Sequence, residues 1–307
     1  MTRRYFFLAA LLASTIASAG DETYIQILGV AQDAGYPQAG CYQPHCNRAW
    51  NDKSLRRSAS SIAVIDRPTK TKYLFDATPD IRDQLYRLNL AAPDGEYRLN
   101  GIFLTHAHIG HYTGLMHFGH EASSARDVTV YAMPRMREFL SSNGPWDQLI
   151  HYQNIWLADL EDGRETTLSD ELVVTPFLVP HRDEYSETVG YRIDGPNKSA
   201  IFIPDIDKWE RWDTDIREMV RSVDYALLDA TFYADGELPG RDMSKIPHPF
   251  AAESMALFAD FTDEEKSRVI FIHMNHTNPL LIDGSPEQAE VERRGFRFAR
   301  EGMRLEL

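Results

Sequence analysis

Three histidines fall within six consecutive positions, as His106, His108 and His111 in Thr105-His106-Ala107-His108-Ile109-Gly110-His111. The segment follows the apolar run Gly101–Leu104 and precedes a stretch with helical periodicity. Two histidines at i and i+2 where a strand ends can point the same way, and a third in the turn into a helix can fold back towards them. Converging imidazoles are natural ligands for zinc or another borderline divalent ion. Four more apolar runs stop abruptly at a polar group. Phe75 leads into Asp76, Val179-Pro180 into His181, Ile203-Pro204 into Asp205, and Ile272 into His273 with His276 three residues on. Any one of these alone reads as a polar residue capping a turn. Together, after the histidine segment, they read as a site assembled from several strand ends at one sheet edge.

Other chemically capable residues lie outside that set. Cys41 and Cys46 flank His45. In an oxidising compartment two nearby cysteines form a disulfide that clamps their loop. The alternative is a small structural metal site with His45, although three ligands are one short of a closed tetrahedral set. Asp33, in Gln32-Asp33-Ala34-Gly35, follows the first strand and is a candidate for lining the pocket. His117 and His120 belong to a helical stretch and suit surface or packing roles, and His151 has no supporting context.

The elements that must position these groups alternate along the chain. Runs rich in β-branched and aromatic residues predict strands at Tyr24–Val30, Ser61–Ile65, Lys72–Phe75, Gly101–Leu104, Val128–Ala132, Leu172–Val179, Thr188–Ile193, Ala200–Ile203, Tyr225–Leu228 and Val269–Ile272. Helical periodicity covers Pro79–Leu88, Arg135–Ser142, Asp215–Ser222, Phe250–Phe261 and Pro286–Arg294. The strands are closely spaced, and Gly195-Pro196-Asn197-Lys198 reads as a hairpin turn. That pattern disfavours a purely parallel doubly wound sheet. Two mixed sheets with helices outside, in a single domain over residues 20–307, fit better.

Composition narrows the function. The 307 residues are 43% apolar and carry 32 Lys+Arg against 46 Asp+Glu, a formal charge of −14. The acidic balance argues against long nucleic acids and anionic membrane surfaces, which need clustered cations. A small-molecule substrate is favoured. Residues 1–19 have Arg3 and Arg4, then the apolar Tyr5–Ile16, then Ala17-Ser18-Ala19, the layout of a signal peptide cleaved after Ala19. Periplasmic or secreted location is therefore expected, by either the general or the twin-arginine route, with no membrane attachment after the leader is removed. The oligomeric state is not readable.

With these residues in view, the chain from about Tyr24 onwards resembles the metallo-β-lactamase-fold hydrolases, whose central motif is H-x-H-x-D-H. The likeness implies a four-layer αββα sandwich, an α/β fold of the α+β kind. Within the superfamily the chain is similar to the coenzyme-PQQ-synthesis protein B branch. That likeness rests on Gly35-Tyr36-Pro37-Gln38 with Cys41, on Thr105–Gly114, on Phe271–Pro279, and on the tail from Ser285-Pro286-Glu287. Two departures stand out: the motif Asp is Gly110, and all three histidines are kept where that branch usually has a degraded motif. A second likeness, to tRNA-3′-processing enzymes and phosphodiesterases, rests on Leu228-Asp229-Ala230-Thr231 followed by Pro247-His248-Pro249.

The resemblance implies one metal site from His106, His108 and His181 with a water, the open zinc arrangement. It implies a second, weaker site from His111, Asp205 and either His273 or His276, short of one ligand because of Gly110. Asp76 would hold a ligand histidine, and His248 would be a general acid oriented by Asp229. The expected cofactor is zinc, one or two ions, with iron or manganese as alternatives. The expected activity is metal-dependent hydrolysis of a phosphodiester, lactone or thioester. The alternatives are an iron-dependent oxidoreductase or cofactor-maturation protein of the PQQ type, and a non-catalytic binding protein that keeps the fold.

Overall fold

The structure is a computed structural model that describes residues 22–307. The expected leader lies outside the described residues. Fourteen strands are present among them: β1 (Tyr24–Gly29), β2 (Ser61–Asp66), β3 (Thr71–Phe75), β4 (Arg98–Phe103), β5 (Val128–Ala132), β6 (Ile155–Asp159), β7 (Thr166–Thr167), β8 (Val173–Leu178), β9 (Val189–Asp194), β10 (Ser199–Ile203), β11 (Tyr225–Asp229), β12 (Val269–Ile272), β13 (Arg297–Phe298) and β14 (Arg304–Glu306). They form two seven-stranded sheets, ordered β14-β1-β2-β3-β4-β5-β6 and β13-β12-β11-β10-β9-β8-β7. In the first sheet β14, β1, β2 and β3 pair antiparallel, and β3 to β6 run parallel. The second sheet repeats the scheme, with β10 to β13 parallel and β7 to β10 antiparallel. The expected hairpin joins β9 to β10 through Gly195 N–H donating to Lys198 O at 3.0 Å.

Both faces of the first sheet are covered, which explains its near-continuous apolar strands. Alternate residues leave on opposite sides. Ile25, Ile27, Ile62, Val64, Tyr73 and Phe75 enter the main core between the sheets. Tyr24, Leu28, Ala63, Ile65 and Leu74 enter a separate core with Ile81 and Leu88 of helix Ile81–Ala91 and Met136 and Leu140 of helix Pro134–Ser142. The layers are therefore helix, sheet, sheet, helix. An aromatic group bolts the sheets together directly beneath the strand ends that carry the polar residues. Phe75 stacks on Phe103 with ring centroids 4.9 Å apart and meets Tyr191 edge-on at 5.3 Å. Tyr191, fully buried, donates its hydroxyl proton to Leu104 O at 2.5 Å.

The differences from the sequence expectation are local. Ile155–Asp159 and the short β7, β13 and β14 were not anticipated, nor were helices Pro44–Asn51, Trp146–His151 and Asp263–Arg268; the helix expected after the histidine segment begins within it, at Ile109. The helix expected over 250–261 stops at Leu257. Past it the chain turns, and Phe258 and Phe261 stack at 4.9 Å in the core.

Candidate metal centre

The parallel strands of both sheets end at one edge, and the polar residues stand there. Thr105 and His106 follow β4, and His108 begins the turn into Ile109–Tyr112, which carries His111. Asp76 follows β3, His181 follows β8, Asp205 follows β10, Asp229 ends β11 and His273 follows β12. Asp76 and His273 hold left-handed backbone, φ 65° and 63°. Such conformations are unfavourable for non-glycine residues and persist where the surroundings over-determine them.

Two ligand groups result, sharing one carboxylate. In the first, His106 Nε2 lies 2.9 Å from His108 Nδ1 and 3.4 Å from Asp205 Oδ2, and His181 Nε2 lies 3.3 Å from both His108 Nδ1 and Asp205 Oδ2. In the second, His111 Nε2 lies 3.1 Å from Asp33 Oδ1 and 3.9 Å from Asp205 Oδ2, and His273 Nε2 lies 3.4 Å from Asp33 Oδ1. Two ligands each about 2.0–2.1 Å from a tetrahedral zinc are about 3.3 Å apart, so both groups have the spacing of a coordination shell. A further sign is chemical. His273 Nε2 and Asp205 Oδ1 are buried and, despite His248 and Asp33 nearby, make no well-aligned hydrogen bond, and such atoms in a native interior ask for an explanation that an ion supplies. The residues therefore fit a divalent ion.

The ring nitrogens facing away from these groups are held. His106 Nδ1 meets Thr105 Oγ1 at 3.0 Å, His108 Nε2 meets Glu184 at 3.1 Å, and His181 Nδ1 meets Asp207 at 3.3 Å. His111 Nδ1 bonds Asp76 Oδ2 at 2.7 Å, and His273 Nδ1 meets Thr231 Oγ1 at 3.1 Å. Partners of this kind fix tautomer and ring orientation in metal ligands. Asp76 also accepts Thr105 N–H at 2.8 Å and the Thr105 hydroxyl at 3.0 Å.

Proton affinities divide the cluster. Burial, reinforced by positive charge at His111, holds His106 well below its ordinary range, so it stays a neutral ligand. Burial acts the same way on His111, but Asp76 and Asp33 outweigh it and raise that ring well above the ordinary value. His273 is raised to about 9, because Asp205, Asp229 and Asp33 outweigh its burial. Burial would raise Asp205, yet His181, His248 and His273 pull it well below the carboxylate range.

Beside the shared carboxylate stands His248, with Nδ1 at 2.9 Å from Asp229 Oδ2 and 3.2 Å from Asp205 Oδ1. Asp229 is fully buried and anchored by Thr231 N–H and hydroxyl at 2.8 and 2.7 Å. Burial works against charge on His248, but the carboxylates of Asp229 and Asp205 override it and raise the ring well above the ordinary value.

Of the sequence candidates, His276 is not at this centre. The turn after His273 carries it to Cys41, His45 and Cys46 instead, with its ring 5.7 Å from that of His45. Cys41 and Cys46 are joined by a disulfide. His117, His120 and His151 join none of these groups. The residues that sequence reasoning passed over are Glu184, Asp207, Thr105 and Thr231. Each lies within three residues of a candidate, a signal too common to single them out. Asp33, expected only to line the pocket, reaches into the second group.

With that geometry established, comparison with known proteins places the chain. Residues 71–274 match the family described as "Beta-lactamase superfamily domain". The chain belongs to that superfamily, in its PqqB-like branch. It is 30% identical over 315 residues to the coenzyme PQQ synthesis protein B of Methylorubrum populi, covering 92% of this chain and all of the relative. The crystal structure of Zn(2+)-bound PqqB from Methylobacterium extorquens superposes with a TM-score of 0.75 at 26% identity, covering 92% of this chain and 100% of that one. A diphosphatase of the PhnP family shares the fold, with a TM-score of 0.64 at 22% identity, covering 93% of this chain and 97% of that one. Two mixed sheets flanked by helices are thus the superfamily's architecture. No helix among the described residues is long and apolar enough to cross a membrane.

Proposed function

We propose that the chain is a metal-dependent hydrolase that cleaves an ester-like bond in a small substrate. The observation that carries this reading is the Asp229–His248 pair set against a carboxylate shared by two ligand groups. His106, His108 and His181 would hold a divalent ion, with Asp205 as a further ligand. An ion so held supplies a water that ionises near neutral pH and polarises the bond to be cut. His248 presents Nδ1 to Asp229, which leaves Nε2 to deliver a proton to the departing group. Its raised proton affinity keeps that proton in place at neutral pH. Asp205, Asp229 and His248 are close enough to be ligands themselves, but Nδ1 sits within 3.2 Å of both carboxylates, which suits a proton there. The net charge of −14 argues against a long polyanion, so a small phosphodiester, lactone or thioester is favoured. The leader-like residues 1–19 favour action outside the cytoplasm, which cell fractionation tests.

The decisive experiment is turnover of a phosphodiester, lactone and thioester panel by chelator-treated and metal-reconstituted protein, with His108→Ala in parallel. Metal-dependent turnover lost in the variant is expected. Chelator-insensitive turnover, or none across the panel, would overturn the reading. A second reading, a cofactor-maturation or iron-dependent oxidoreductase role, is favoured by the likeness to coenzyme PQQ synthesis protein B. Iron in the purified protein and activity that vanishes without oxygen would favour it over hydrolysis.

A further inference from the structure

The second ligand group contains an exchange between two distant positions. A Cβ placed on Gly110 would lie 2.4 Å from Asp33 Cα, 2.5 Å from Asp33 Oδ1 and 2.6 Å from Asp33 Cβ. Real Cβ atoms do not approach others that closely, so no side chain can stand at 110 while Asp33 holds its position. Gly110 lies outside the left-handed region, so its backbone does not demand glycine. The demand is for space, and Asp33 fills that space with its own carboxylate.

The Asp33 loop is fixed to the opposite strand end. Met274 N–H donates to Val30 O at 2.8 Å, and Gln32 N–H donates to Met274 O at 2.7 Å. Ala31 bridges Met274 on one side and Ala59 on the other. The backbone leading to Asp33 is thus laced to the residue after His273, which sets Asp33 Oδ1 between His111 and His273. His273 Nε2 points there, wholly buried, 3.4 Å from Asp33 Oδ1 and in no well-aligned hydrogen bond.

We propose that Asp33 is a ligand of a second divalent ion, together with His111, His273 and Asp205, and that glycine at 110 exists to make room for it. The carboxylate that the superfamily motif carries next to its last histidine comes here from the end of β1. This rests on the cluster being a metal centre, not on the reaction it performs. Asp33 is also the accessible member of the group, its side chain 30% exposed where His111 and His273 are at 1% and 0%. The second ion is therefore the one a chelator removes first.

The test is the number of ions held. Metal-free protein is reconstituted with zinc, passed through a desalting column and measured for zinc per chain, with isothermal titration for affinity. Wild type is expected to hold two ions. Asp33→Ala is expected to hold one, with the second weakened at least a hundredfold, and Gly110→Asp alone also one or to misfold. The double variant Asp33→Gly/Gly110→Asp is expected to regain the second ion, which guards against misfolding as the explanation of the single variants. Two tightly held ions in Asp33→Ala, or one in the double variant, would overturn the proposal. One ion in wild type also overturns it but leaves a mononuclear hydrolase standing, whereas none in wild type removes both readings.

Discussion

Asp76→Asn separates the positioning of His111 from simple packing. Asparagine is nearly isosteric with aspartate and tolerates the left-handed backbone at φ 65°. Its Oδ1 can still accept Thr105 N–H, now at 2.8 Å. The amide nitrogen replaces Oδ2, 3.0 Å from the Thr105 hydroxyl and 2.7 Å from His111 Nδ1. The hydroxyl can accept an N–H, but His111 Nδ1 can do so only by moving its own proton to Nε2. That nitrogen is the one facing Asp33 and Asp205, so the substitution aims a proton at the place of an ion. Two magnitudes follow. A buried hydrogen bond to a charged group contributes about 1.5–3 kcal/mol and a neutral one about 0.5–1.5, so the exchange costs roughly 1–1.5 kcal/mol of stability. Losing the partner that orients a ligand costs about 10–100-fold in metal affinity, or roughly 1.4–2.7 kcal/mol. Thermal unfolding should show a fall of several degrees with the transition still cooperative. Isothermal titration with zinc should show the tighter binding step unchanged and the weaker one reduced by that factor. Two unaltered binding steps in a destabilised Asn variant would refute the tautomer reasoning and leave Asp76 a turn-capping residue.

Three further outcomes are expected. His248→Gln should lower kcat about 10²–10⁴-fold for alkoxide leaving groups but far less for a nitrophenolate, with zinc content unchanged; equal losses on both would refute the proton-donor role. Glu237 is raised to about 7 chiefly by burial, so between about 4.5 and 7 the folded state keeps a proton that the unfolded chain has shed. Stability should therefore fall by about 3 kcal/mol as pH rises through that window, and Glu237→Gln should flatten this part of the urea-midpoint profile; identical slopes in both proteins would sink the assignment. Replacing Cys41 and Cys46 together by serine opens a loop with a sequence separation of 5. By chain entropy that costs about 2 kcal/mol, readable by thermal unfolding, and no loss of stability would contradict it.

Much of the centre was legible because strands announce where they stop. His106, His181 and Asp205 each follow an apolar run, with His108 two residues after His106, and such runs can be read from the order of the residues. The choice between His273 and His276 was not legible, since both follow Ile272 within four residues. It was decided by the left-handed turn at His273, which sends His276 towards Cys41 and Cys46. Asp33 was seen but undervalued. Its importance depends on a steric exclusion with a residue 77 positions later, and no local pattern encodes that. Some missed elements did carry signals: Pro44 opens its helix at the first position, and Thr262 with Glu265 forms a capping box. Short edge strands such as β13 and β14 carry none, because neighbours supply their pairing.

The pairing of β14 with β1 has a kinetic side. Tyr24 faces Glu306 and Ile25 faces Leu305, and Ile27 exchanges hydrogen bonds with Gly302 and Met303. This contact closes a loop of nearly the whole domain, the kind whose entropy must be spent before it returns anything. During synthesis the free edge of β1 waits for residues made some 280 positions later, and β1 runs directly into the loop of Asp33. Fraying of the last strand should therefore loosen Asp33 before it disturbs His106 or His108. Amide hydrogen exchange at Ile27 and exchange of the more weakly held ion would then share one opening event, linking the tail of the chain to how long that ion stays.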